Sequence, residues 1–310
     1  MKARTYNMIL PIISILVIAL AGCSSPFEKQ EYIPRITEAF IYDGVSIHYK
    51  DMGTGRPIVF LHGYGASLDT WRLMEDALRT KYRLVLVDLK GHGYSARPHD
   101  SKYSIEDHGE IVIGLINHLA LENVVLVGHS FGAGIALVAA LEANKTSPEI
   151  VSSLVLIGAT FDVGDLPFAL RLLGTPVIGW LAMKLTSASF RTRLTLKQAY
   201  YDDEKVTPPL IEMYARYQNI PGTDYALLKT AAQFFTTKFL EVKKELNDFH
   251  IPVLNIFGEH DEIINRSSAE EVCRLLVTCK FVTIEDVGHV PQEEAPGKLL
   301  ALLRHFLDGN

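Results

Sequence analysis

Between residues 36 and 308, short apolar runs alternate with segments whose apolar positions recur every three or four residues. Pro57–Leu61, Tyr82–Val87, Asn123–Val127, Val151–Ile157, Ile251–Phe257 and Lys280–Ile284 are rich in Val, Ile, Leu and Phe. Such runs predict strands buried on both faces of a parallel sheet. Thr70–Arg79, Ser104–Leu119, Ser130–Ala143, Ser268–Val277 and Pro296–Leu307 carry the helical period, and Ser104-Ile105-Glu106-Asp107 predicts a capped start for the second of them. Ile36–Ile41 and Val45–Lys50, around Asp43-Gly44, predict a hairpin. From 162 to 247 the alternation lapses, which predicts a helical cap inserted into the sheet pattern. The expected fold class is therefore α/β: a mostly parallel central sheet, helices on both faces and an inserted cap. The core is expected over 36–161 and 248–310. Ligands of such sheets bind at the carboxyl ends of the strands.

Within the cap, Leu166–Leu170 and Leu172–Met183 are strongly apolar. They suit a small core of the cap itself, with a few side chains lining an acyl pocket; the sharper alternative is a membrane-facing lid. The Leu172–Met183 run is too short to span a bilayer.

The 310 residues, 48% hydrophobic, suffice for one large domain with a real core. A net charge of -6 and a pI near 6.0 leave no basic surface, so nucleic acid is not an expected partner. The N-terminus adds a different signal. Lys2 and Arg4 precede an apolar run, Met8–Leu20, which suits an export signal rather than a membrane span. The run ends in Leu20-Ala21-Gly22-Cys23, which resembles the bacterial lipoprotein processing site. That resemblance implies removal of a signal peptide, residues 1–22, and lipidation of Cys23. It also implies a tether over 23–35 and a home at the cell envelope rather than the cytoplasm. Ser24 resembles an outer-membrane sorting residue of Gram-negative cells. The alternative is an ordinary secreted protein with an unmodified Cys23. For Cys273 and Cys279, six residues apart, two readings stand: a disulfide, permitted outside the cytoplasm, or two buried thiols.

Candidate chemistry centres on Gly128-His129-Ser130-Phe131-Gly132. Val124–Val127 precedes it as a buried strand, and a small-residue helix follows. A sharp strand–turn–helix crowds the backbone, so Gly128 and Gly132 supply the missing bulk and the turn lifts the Ser130 hydroxyl clear of the sheet. A serine needs a base, and the base needs an orienting acid. Asp261 follows strand Ile251–Phe257, and His289 follows Lys280–Ile284. Asp162, after Val151–Ile157, is the competing acid. Glu259, His260 and Glu262 crowd Asp261, but without paired histidine spacing they read as solvated loop charges, and no metal is expected.

Five motifs in order resemble the α/β-hydrolase superfamily over about residues 36–308. They are Leu61-His62-Gly63-Tyr64-Gly65, Asp88-Leu89-Lys90-Gly91-His92-Gly93-Tyr94-Ser95, the serine turn, Phe257-Gly258-Glu259-His260-Asp261 and Gly288-His289. Lys90 stands where the family more often has arginine. The resemblance implies a catalytic triad of Ser130, Asp261 and His289, with the backbone N–H groups of Tyr64 and Phe131 as oxyanion donors. His62 and Gly63 would shape that loop, and the Tyr64 and Phe131 rings would border the acyl pocket. It implies a serine esterase or lipase-like hydrolase of a small ester-type substrate, needing no cofactor. Thioesters, activated C–C bonds and cofactor-free peracid chemistry remain open, as does a slow ligand-sensing role.

The anchor reading has a direct check. Mass spectrometry should find Cys23 lipidated in membrane fractions, and Cys23→Ser should block processing; unmodified mature protein free in the medium would contradict it.

Overall fold

The computed structural model describes residues 38–160, 164, 168–234, 236 and 241–309. Cys23, the tether, Asp162, Leu166 and Pro167 lie outside the described residues. Strands β1 (Ala39–Tyr42) and β2 (Val45–Met52) form the expected hairpin, turned by Asp43 and Gly44 at φ 46° and 77°. β3 (Arg56–Leu61), β4 (Tyr82–Val87), β5 (Val124–His129), β6 (Val151–Ile157), β7 (Val253–Gly258) and β8 (Cys279–Ile284) complete an eight-stranded sheet of order 1-2-4-3-5-6-7-8. Only the β1–β2 and β2–β4 pairs are antiparallel.

Successive side chains along each strand enter two different cores, as the pleat requires. Val59, Leu61, Leu126 and Leu156 point to one face, where α2 (Ile105–His118) and α3 (Phe131–Thr146) cover them. Ile58, Phe60, Val127 and Ile157 point to the other, against Trp71 and Met74 beside α1 (Arg72–Leu78) and Leu299 and Leu303 of the C-terminal helix. Ser104 caps α2 as its sequence predicts: its hydroxyl accepts from the Asp107 N–H at 3.1 Å, and the Asp107 carboxylate accepts from the Ser104 N–H at 2.9 Å.

Between β6 and β7, five α-helices are described: α4 (Phe168–Leu173), α5 (Pro176–Leu185), α6 (Ala188–Ala199), α7 (Pro208–Gln218) and α8 (Thr223–Ala232). Here the packing departs from expectation. Within Leu172–Met183 only Gly179 and Met183 are buried, while Val177, Ile178, Trp180 and Leu181 are exposed. The run is apolar on all sides, so its sequence has no polar face to say which side would turn inward. After β7 come α9 (Arg266–Leu275), α10 (Pro291–Glu294) and α11 (Pro296–Gly309). Cys273 of α9 and Cys279 of β8 form a disulfide, their Cα atoms 5.1 Å apart.

β3 and β5 are neighbours, so the loop after β3 lies against the turn after β5. The contact leaves no room for side chains. A Cβ on Gly132 would fall on the carbonyl oxygens of Leu61 and His62, and one on Gly128 on the carbonyl of Gly132. Gly297, in contrast, faces open space. Gly132→Ala should therefore cost about 3 kcal/mol or more in urea unfolding, while Gly297→Ala should change stability by less than about 1 kcal/mol. Equal effects would show that the close approach does not constrain the fold.

Candidate active site

The Ser130 turn is tight. Its backbone adopts φ 52° and ψ −116°, outside the regions a serine prefers, and its N–H donates to the Ile157 carbonyl at 2.8 Å. Ser130 starts α3 but does not cap it with its hydroxyl, which makes no hydrogen bond to any described residue. The hydroxyl is left free at the positive end of a 16-residue helix.

β7 and β8 deliver the other two groups. His289 Nδ1 and Asp261 Oδ2 are 2.7 Å apart, with both side chains buried. The second carboxylate oxygen of Asp261 accepts from the backbone N–H groups of Ile263 and Ile264 at 2.8 and 2.9 Å. Burial pushes the Asp261 carboxyl up. The facing His289 and these N–H donors outweigh it, so the group sits below its ordinary value and stays ionised. An ionised Asp261 holds the proton on Nδ1, which leaves Nε2 as the basic nitrogen.

His129, the residue before Ser130, braces this pair. Its Nε2 lies 2.8 Å from the His289 carbonyl. Burial, reinforced by the neighbouring His289, drops its pKa to about 3, so it is neutral and donates. Gly158 lies at φ 59° directly after β6, and a Cβ there would reach within 2.8 Å of the His289 ring. Nothing local in the sequence marks Gly158 for this role, because only the assembled sheet brings the end of β6 to the histidine loop.

The loop after β3 closes the site. A Cβ on Gly63 would stand 3.0 Å from His129 Nδ1 and 3.4 Å from Ser130 Cβ. His62 Nε2 accepts from the Leu89 N–H at 3.0 Å, so its proton is on Nδ1, which donates to the Gly63 carbonyl at 2.8 Å. Burial lowers the His62 pKa and keeps it neutral. The N–H groups of Tyr64 and Phe131 find no acceptor among the described residues. The Tyr64 ring borders a cavity of about 90 Å³ together with Met183, Leu196, Arg191 and Leu227. Its hydroxyl donates to the Leu227 carbonyl at 2.9 Å. The Phe131 ring does not border that cavity. It is 2% exposed and packs on Phe234, its aromatic ring having gone into the core under α2.

Two carboxylates that carried no expectation hold the frame. Asp88 is wholly buried and accepts from Leu68 N–H at 2.8 Å, Tyr94 N–H at 2.8 Å and His48 Nδ1 at 2.7 Å. Glu294 accepts from the N–H of Gly288 at 2.8 Å on one oxygen and of Tyr201 at 2.9 Å on the other. It thus ties the histidine loop to the cap, and the His289 N–H bonds directly to the cap carbonyl of Ala199 at 2.6 Å. Lys90 pairs with Asp100 at 2.9 Å and donates to the Lys102 carbonyl at 2.8 Å, which supports its turn. Glu259 and His260 meet Asp286 rather than Glu262, with donor atoms within 4.8 Å of one another.

Residues 56–296 match the family described as alpha/beta hydrolase fold. The chain belongs to that family. This α/β hydrolase is 27% identical over 277 residues to an uncharacterized hydrolase, YugF, of Bacillus subtilis, covering 86% of this chain and 96% of the relative. It is 26% identical over 284 residues to 2-hydroxymuconate semialdehyde hydrolase of a Pseudomonas species, covering 88% and 94%. Among solved structures it resembles a meta-cleavage product hydrolase from Pseudomonas fluorescens, with a TM-score of 0.75, 25% identity and coverage of 89% and 99%.

Asp261 tests the geometry. Asp261→Asn should lower kcat by about 10³–10⁴, because an amide N–H facing Nδ1 favours the wrong tautomer. The carboxyl's folded pKa is depressed, so the stability it contributes is present above the unfolded value of 3.8 and is lost as pH falls through the folded one. The stability gap between wild type and Asp261→Asn should therefore hold at neutral pH and narrow in acid. A gap that widened in acid would reverse the assignment.

Proposed function

We propose that this α/β hydrolase is a serine hydrolase of carboxylic esters acting through an acyl-enzyme. The observation that carries the reading is the buried Asp261–His289 hydrogen bond together with an unbonded Ser130 hydroxyl on a strained turn, whose neighbour His129 has its ring centroid 4.8 Å from that of His289. Ser130 Oγ attacks the ester carbonyl while His289 Nε2 takes its proton. Asp261 stays ionised and steadies the imidazolium. The N–H groups of Tyr64 and Phe131 receive the oxyanion, each contributing about 3–4 kcal/mol to the transition state. His289 then protonates the departing alcohol. Water, deprotonated by the same histidine, attacks the acyl-serine, and His289 returns that proton to Ser130 Oγ as the acid leaves. The net reaction is ester plus water to acid plus alcohol.

A second reading, hydrolysis of an activated C–C bond, is favoured by the likeness to 2-hydroxymuconate semialdehyde hydrolase and to the meta-cleavage product hydrolase. We also propose that the protein works at the cell envelope, anchored through lipidated Cys23. The Cys273–Cys279 disulfide supports export, since such bonds persist in oxidising compartments.

The small cavity beside Tyr64 favours short-to-medium linear acyl chains. Each buried methylene contributes about 0.8 kcal/mol, up to fourfold in kcat/KM until the space is filled. The test is kcat/KM on p-nitrophenyl acetate, butyrate, octanoate and palmitate, beside 2-hydroxymuconate semialdehyde, with fluorophosphonate labelling of Ser130. Ester turnover should peak below palmitate, and Ser130→Ala should lose about 10⁴ or more in kcat. Retained turnover in folded Ser130→Ala sinks the ester mechanism. Faster turnover of the semialdehyde than of every ester moves the chain to the second reading. Labelling with near-zero turnover throughout makes it a sensor.

A further inference from the structure

We propose that the outer side of α5 seats on the surface of a phospholipid bilayer. The proposal rests on the lipid-anchor reading and is independent of the ester reading. In α5 the two buried residues, Gly179 and Met183, stand four apart on one side. Val177, Leu181 and Leu185, also spaced by four, form a stripe on the opposite side and are 70%, 41% and 53% exposed. Ile178 and Trp180 flank the stripe at 47% and 55% exposure. The one charge on the helix is Lys184, whose amine lies 3.7 Å from Asp224. Phe190 and Leu194 of α6 are exposed as well, so seven of the eleven large apolar side chains exposed among the described residues fall between Val177 and Leu194. A helix that is apolar on its outer side needs a covering surface.

A bilayer fits because of the chain that precedes the described residues. Its apolar run ends at Cys23, and the tether from there to residue 37 extends at most roughly 50 Å, which keeps the domain beside the membrane that holds its anchor. A helix of 10 residues is about 15 Å long, so it lies flat in the interface and does not cross. No helix among the described residues is long and apolar enough to cross a membrane. Trp180 supplies the amphipathic ring that interfaces favour. The inner side of the same helix contributes Met183 to the cavity beside Tyr64. The docked helix would thus separate lipid from that cavity by its own thickness.

The chain has only two tryptophans, and Trp71 is wholly buried, so Trp180 dominates any response to lipid. Full-length protein reconstituted through its N-terminus into phosphatidylcholine vesicles carrying brominated acyl chains should lose Trp180 emission by about twofold or more, with little change in high salt. Trp180→Phe should remove the response. The pair Leu181→Asp and Leu185→Asp should abolish it while leaving turnover of p-nitrophenyl acetate within about twofold. Absence of quenching in the anchored wild type overturns the proposal. So does quenching that survives the aspartate pair, or cross-linking of two copies through α5 without quenching, which makes the face a dimer interface. A missing anchor is read separately from the mass of the Cys23 peptide, and a failed ester reading from the labelling of Ser130.

Discussion

At Ser130 the chain passes from strand to helix through a single residue held at φ 52° and ψ −116°. A serine in that conformation costs about 1–3 kcal/mol, and it persists because its surroundings leave no alternative. Its N–H is bound to β6, and Gly128 and Gly132 let β5, α3 and the β3 loop close to contact distance. A side chain at either glycine would meet backbone carbonyls, which cannot rotate away. The strain has a chemical consequence. It leaves the Ser130 hydroxyl unbonded at the start of α3 and the Phe131 N–H without an acceptor among the described residues, where a relaxed start would let the serine cap its own helix.

Around this turn the polar groups divide into two kinds. Asp261 is buried against a partner that can carry charge, and its ionised state is what His289 needs. Asp88 and Glu294 accept chiefly from backbone N–H groups and hold loops, Asp88 with the His48 ring as a further partner. Glu293 accepts from Thr70 at 2.8 Å, Arg72 at 2.9 Å and Tyr200 at 2.9 Å, and so joins the core to the cap. Burying such carboxylates is unfavourable unless each lone pair finds a donor. Several of the donors, the N–H groups of Tyr94, Gly288 and Tyr201, come from loops, so satisfying the carboxylates also fixes those loops. The four neighbouring histidines, His62, His92, His108 and His129, are all driven neutral by burial, so none competes with His289 as a charged group beside the site.

The sheet was legible because its strands are buried on both faces and therefore read as unbroken apolar runs. Tyr82–Val87 and Val151–Ile157 were bounded to the residue. The order of Ser130, Asp261 and His289 was legible because each follows such a run. What escaped is long-range or directional. The bond from Thr70 to Glu293 spans 223 residues, and nothing local to either marks it. Gly158 serves a ring 131 positions later, and His129 braces a carbonyl 160 residues away. The Phe131 ring, expected at the pocket, instead follows the first turn of α3 into the core. In α5 the failure was of another kind: a segment apolar on every side carries no signal for which side faces inward, and only the position of Gly179 and Met183 against the other cap helices decided it.

In the proposed function this strained, sheet-borne serine becomes covalently acylated with His289 as its base. Rapid-quench mass spectrometry during turnover of a p-nitrophenyl ester tests it most directly. The expected result is a burst of one nitrophenolate per protein and an acyl group on the peptide containing Ser130, both absent in His289→Ala. Full turnover without an acyl adduct, or an adduct on any other residue, would contradict it.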